Sequence, residues 1–209
     1  MAPSKSFHHG DLKRALMRSA VEILDKEDVA GVTIRAVAKR AGVSHAAPAN
    51  HFPDRRALLT ALAAEQFAVV FDKITAGIDA KTSDTRADLE PLDWIAVLFD
   101  SFLAYGLEYP YRYQLLWRYD LVDHEADILK QPADRVYDFL VGEIEKIVDR
   151  NTVDPDTVSV TIWSMMHGYL DLRMTGMFED RRDRINGAPR AQAMLMIVRE
   201  YLEEVGRRA

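Results

Sequence analysis

The stretch from Thr33 to Arg56, TIRAVAKRAGVSHAAPANHFPDRR, leaves its part of the chain few ways to fold. Ile34, Val37 and Ala38 form an apolar stripe at helical spacing, with Arg35, Lys39 and Arg40 off that stripe. Thr33 stands where an N-cap is needed, although Ala36 takes the place of the Glu or Gln of a full capping box. Gly42 supplies a residue that closes a helix at positive φ without a Cβ penalty. Val43 fills the corner, and Ser44 suits the cap of a second helix. A short helix, a tight Gly-containing turn and a second capped helix make a helix-turn-helix. The second helix has little to bury: His45, Ala46, Ala47, Ala49, Asn50 and His51 are small or polar. Small residues let a helix approach a groove closely, and Asn and His can hydrogen-bond base edges or phosphates. Pro48 falls in or just past the first turn, where a lost N–H does least damage.

The charge balance supports that reading once it is divided along the chain. The net charge is −6, yet residues 1–60 hold ten Lys/Arg against six Asp/Glu, and the rest hold seventeen against twenty-seven. A basic head meets phosphate while an acidic body is repelled from it. With 48% hydrophobic and 29% charged residues, the 209-residue chain is globular, either one large domain or two that share helices. No apolar run approaches the ~18–20 residues of a membrane span. No apolar region follows the N-terminal charges, so no signal peptide is expected and the expected location is the cytoplasm. The absence of Cys excludes disulfides, thiolate metal sites and thiol nucleophiles.

Periodicity makes the whole chain helical. Residues 1–7 read as a loose basic arm, and a first helix spans 10–27. A long helix over 54–78 exceeds what the head needs and is expected to be the single rigid link to the body. The polar stretch 79–90 marks the boundary. Pro91 opens a helix to Glu108, Tyr109-Pro110 breaks it, and another covers 110–121. A further helix ends near Arg150, its start obscured by Pro132. Asp154-Pro155 opens a helix that is apolar nearly all round to Phe178, and a partner subunit is the natural cover for its second side. After the charged loop EDRRDRINGA, a last helix from Pro189 carries a seam of Ala191, Met194, Leu195, Val198, Leu202 and Val205. The expected fold is all-α with about nine helices in two domains, a helix-turn-helix domain over 1–56 and a helical body over 57–209.

The segment AVAKRAGVSHAAPANHFPDRRALL resembles the DNA-binding signature of TetR-type transcriptional regulators, and FHHGDLKRALMRSAVEIL resembles their first helix. The run WSMMHGYLDLRMTG resembles the Trp-His-Gly group of their C-terminal domains. One departure is Ala49, which stands where the family usually has a Tyr that packs against the DNA backbone. The resemblance implies a ligand-responsive regulator, usually a repressor, that binds a near-palindromic operator as a homodimer. His45, Ala46, Ala47 and Asn50 are then expected to face the major groove. Thr33, Ser44, His51 and Arg55 are expected to hold the backbone, with Arg35 and Lys39 beside them. A small, mostly apolar or aromatic effector is expected among Trp94, Phe99, Phe102, Tyr113, Trp117, Trp163, Met166 and His167. The dimer interface is expected at Met174, Met194, Leu195, Val198 and Leu202, and Gly168 is expected to admit a neighbouring helix.

Rival readings are weaker. His8 and His9 face different directions and have no clustered carboxylates near, and His167 with Asp171 makes only half a metal site. A structural His in a packed helix is the commoner case, so neither metal nor cofactor is expected. The chain has no Gly-rich phosphate loop, nucleophile elbow, HExxH or EF-hand pattern, which argues against an all-helical enzyme. A DNA-binding protein without an effector is the remaining alternative.

Overall fold

The computed structural model describes residues 9–85, 89–178, 184–185 and 188–208. The basic arm, His8 and most of the loop over 179–188 lie outside them. Among the described residues the protein is all-α, with eight α-helices and one 3₁₀ turn. The order is α1 (His9–Gly31), α2 (Ile34–Ala41), the 3₁₀ turn Ala47–Asn50, α3 (Arg55–Thr85), α4 (Pro91–Glu108), α5 (Pro110–Leu116), α6 (Asp127–Glu145), α7 (Pro155–Met174) and α8 (Arg190–Arg208). Two short strands, β1 (Arg184–Ile185) and β2 (Ala188–Pro189), pair antiparallel ahead of α8. No helix among the described residues is long and apolar enough to cross a membrane.

Helix ends follow local chemistry. Pro91, Pro110 and Pro155 each take the first helical position, where no N–H is needed. The Asp154 carboxylate accepts from the Thr157 N–H at 2.9 Å and so caps α7. Asp28 breaks α1 near its end at φ 63°, a conformation its side chain supports by accepting from the Ala30 N–H. α3 continues past the expected end at Ile78 to Thr85: Thr82 donates to the Ile78 carbonyl, and Lys81 pairs with Asp93 at 3.2 Å. α5 closes at Leu116, so Trp117 and Tyr119 lie in turns, and Pro132 sits inside α6.

The chain forms two compact units, each assembled from separated segments. The first is Met1–Val69 with Tyr109–Ala133, and the second is Val70–Glu108 with Asp134–Ala209. The chain therefore passes between units three times, in α3, after α4 and in α6, so α3 is not the single link. In the first unit Leu16, Leu24, Val37, Leu58, Leu62 and Leu116 are buried together with Val122. Arg112 of α5 grips Asp25 of α1 with two parallel hydrogen bonds of 2.7 and 2.6 Å.

In the second unit Ile74, Leu98, Phe99, Phe102, Tyr105, Leu140, Ile144, Met166 and Leu170 are buried. The close approach falls at Gly106 of α4, where an added Cβ would lie 2.3 Å from the Leu170 side chain of α7. Within the chain Gly168 faces open space, so it admits no helix there. The α8 seam turns inward as well: Val198, Leu202 and Val205 are buried by the chain's own body. Met196, Ile197 and Tyr201 are left exposed instead.

Candidate DNA-reading surface and aromatic interior

The reading surface is built from one helix capped at both ends, an uncapped turn and a proline. Thr33 Oγ1 accepts from the Ala36 N–H at 3.1 Å and starts α2. Gly42 ends α2 at φ 71°, its N–H directed to the Ala38 and Lys39 carbonyls, and the Val43 N–H returns to Ala38 O at 3.0 Å. The next element is a 3₁₀ turn, not the expected α-helix. Ser44 enters it through its carbonyl, which accepts from the Ala47 N–H at 3.1 Å, and no side chain caps it. Pro48 is buried beneath the turn, and its carbonyl receives both the His51 and Phe52 N–H groups.

That anchor leaves Ser44, His45, Ala46, Ala49 and Asn50 exposed, with Ala47 and His51 half-buried. On α2, Thr33, Arg35 and Lys39 are exposed, and Arg40 is paired with Glu22 of α1. Arg55 differs from these. Its guanidinium donates to the Val32 carbonyl at 2.7 Å and to the Val29 carbonyl at 2.6 Å. Behind the turn, Arg56 donates to Val122 O at 3.1 Å, and Thr60 accepts from the Asp123 N–H at 3.0 Å. These two bonds were not legible in the sequence, because neither partner lies near α3 along the chain. A cleft of about 330 Å³ opens here, lined by His51, Phe52, Arg56, Thr60, Asp123 and Ile128 among others.

The residues expected to line one ligand pocket fall into separate aromatic groups. Tyr113 and Trp117 belong to the first unit, where Trp117 meets Phe67 edge-on at 5.7 Å. Trp94 joins Phe139 and donates its indole N–H to Leu89 O at 3.0 Å. Phe102, Trp163 and His167 come together: His167 lies 4.8 Å from each of the other two rings. Tyr137, absent from the expected set, meets Trp163 edge-on at 5.5 Å. Phe99 and Met166 are wholly buried. Burial lowers the His167 imidazole to about 4, so it is neutral at pH 7. No group of three or more His, Asp or Glu among the described residues could hold a metal ion.

A helix-turn-helix with an exposed polar reading turn, carried on a helical body, is the architecture of a DNA-binding transcriptional regulator. The family model for bacterial regulatory proteins of the tetR family matches residues 16–62, and the tetracyclin repressor-like C-terminal domain matches residues 95–198. The chain belongs to the TetR family of transcriptional regulators, and is a regulator rather than an enzyme. No curated protein matches the sequence. A Rhodococcus sp. RHA1 protein of unknown function is similar in structure, with TM-score 0.72, 24% identity and 97% of each chain covered. The regulator SCO7222, a TetR from Streptomyces coelicolor, superposes with TM-score 0.69 at 17% identity, over 92% of this chain and 98% of its own. The regulator FadR from Bacillus subtilis, in complex with stearoyl-CoA, gives TM-score 0.61 at 13% identity, over 92% and 98%.

Proposed function

We propose that this regulator is a repressor that binds a near-palindromic operator as a homodimer and leaves it when a small, mostly apolar ligand enters the body. Residues 1–56 read DNA, and residues 57–209 bind ligand and dimerise, in the cytoplasm. The observation that carries the DNA-binding part is the turn 44–50, whose buried Pro48 presents exposed Ser44, His45, Ala46 and Asn50 outward. His45, Ala46, Ala47 and Asn50 face the major groove; Thr33, Ser44, Arg35, Lys39 and His51 flank them toward phosphates. The small side chain of Ala49 leaves that backbone contact to its neighbours.

The dimer reading rests on exposed apolar surface of α7 and α8. Val160, Ser164, Gly168 and Leu172 repeat every four residues along an exposed stripe of α7. Open space at Gly168 suits a partner's helix. Ile197 and Tyr201, one turn apart, add an exposed apolar pair on α8, and Met174, Met194 and Leu195 are half-buried. A two-fold protein reads a two-fold site.

For the ligand, the group of Phe102, Trp163, Met166 and His167 offers an apolar wall with one neutral imidazole that can donate or accept a hydrogen bond. The stearoyl-CoA of the FadR relative is one apolar-tailed ligand carried on this fold. α4 carries Phe102, and α5, tied to α1 through Arg112 and Asp25, follows it directly.

Selection of duplexes from a random pool is expected to return a near-palindrome, and Ile197→Asp to give monomers in sedimentation that bind it poorly. A ligand that alters Trp fluorescence should bind more weakly in saturating operator, because coupling is reciprocal. Equal affinity with and without operator removes the release mechanism.

A further inference from the structure

We propose that Arg55 acts as a positioning residue for DNA recognition, holding the reading turn by its two ends rather than neutralising a phosphate. The proposal rests on the DNA-binding reading above. Arg55 is the first residue of α3 and follows the reading turn closely; Val29 and Val32 lie just before α2. The guanidinium donates through Nε to Val32 O at 2.7 Å and through Nη2 to Val29 O at 2.6 Å. Those donors lie on one edge of a planar fork, so the two bonds fix orientation as well as distance. The Val29 carbonyl also accepts from the Val32 N–H at 3.2 Å, so Arg55 ties into an existing turn there. Asp28 has ended the regular part of α1, and Val32 precedes the Thr33 cap and is itself fully buried.

Everything between these anchors is short. α2 has eight residues and the 3₁₀ turn four, lengths that do not hold a helix in water unaided. Within the segment from Thr33 to Asp54, buried Val37, Ala38, Pro48 and Phe52 hold it to the body of the unit. Arg55 fixes its ends, and the exact placement of Ser44, His45 and Asn50 follows from both.

The test compares Arg55→Ala and Arg55→Lys with wild type on a duplex selected by the wild-type protein, over a range of salt concentrations. Lysine keeps the charge but cannot span both carbonyls. Positioning predicts that both variants lose at least about tenfold in affinity while log K against log salt keeps the wild-type slope. Amide hydrogen exchange over 43–51 should quicken in both. A phosphate contact predicts instead that Ala flattens the slope by about 0.9 and that Lys restores affinity; that result overturns the proposal. A fall in melting temperature with unchanged affinity of the folded variants also overturns it, since Arg55 would then be structural only. A wild-type protein that selects no duplex removes the DNA-binding reading and this inference together, whereas rescue by Lys removes this inference alone.

Discussion

The reading turn and the Phe102–Trp163–His167 group organise polar and apolar side chains in opposite ways. In the turn, one buried proline holds up a face of small exposed residues, and the bonds that shape it are mostly backbone bonds within a few positions. In the aromatic group, rings from α4 and α7 meet across about sixty residues of chain, and the polar atom among them is stripped of water. Substitution should therefore separate them: the interior answers in stability, and the turn answers in selectivity.

The largest effect is expected from Phe102→Ala. Phe102 is wholly buried, and its loss should lower unfolding free energy by about 3–5 kcal/mol in urea titrations. Acidification comes next. The unfolded imidazole of His167 titrates near ~6.5, and the folded one at about 4. Between those values the unfolded chain binds more protons, so the stability this group confers is complete above the upper value and is lost as pH falls through the lower one. The loss amounts to about 3 kcal/mol by the bottom of that range. His167→Gln should flatten this part of the pH profile, and an unchanged profile would show that the imidazole is solvated.

Gly106→Ala places a methyl group against buried Leu170 and should cost about 1–3 kcal/mol. Gly168→Ala, on the open stripe of the same helix pair, should not destabilise the monomer. Thr33→Ala removes the α2 cap and should cost about 1 kcal/mol. Asn50→Ala should leave stability within ~0.5 kcal/mol while reducing discrimination at one operator base by about 1–3 kcal/mol. A large stability loss at Asn50, or none at Phe102, would erase the contrast.

The same division explains what could be read in advance. The Thr33 cap, the left-handed Gly42, and the helix starts at Pro91 and Pro155 depend on neighbours a few positions away, and each stands where the sequence puts it. The 3₁₀ form of the reading turn was harder to see, since its periodicity over four residues scarcely differs from that of an α-helix. The extension of α3 depends partly on Lys81 finding Asp93, and the role of Arg55 depends on carbonyls more than twenty positions back. Neither leaves a local trace. The α8 seam was legible as apolar, but not which body it would face: Val198 and Leu202 satisfy the pattern equally against a partner or their own chain, and they are buried by the latter. The aromatic residues are expected from the sequence around one ligand, whereas their division among separate groups is set by tertiary packing.

The interleaving of the two units limits how the protein can be dismantled. A fragment cut near residue 62 would keep the family's DNA-binding segment but discard Arg112, Leu115, Leu116 and Val122, which belong to the same compact unit. Asp25 and Arg56 would lose their partners, and the apolar surface that α5 covers would meet water. A chimera that grafts this reader onto a foreign body therefore needs two insertions from the parent, the second spanning 109–133. The reader is portable only with a piece of its own C-terminal domain attached.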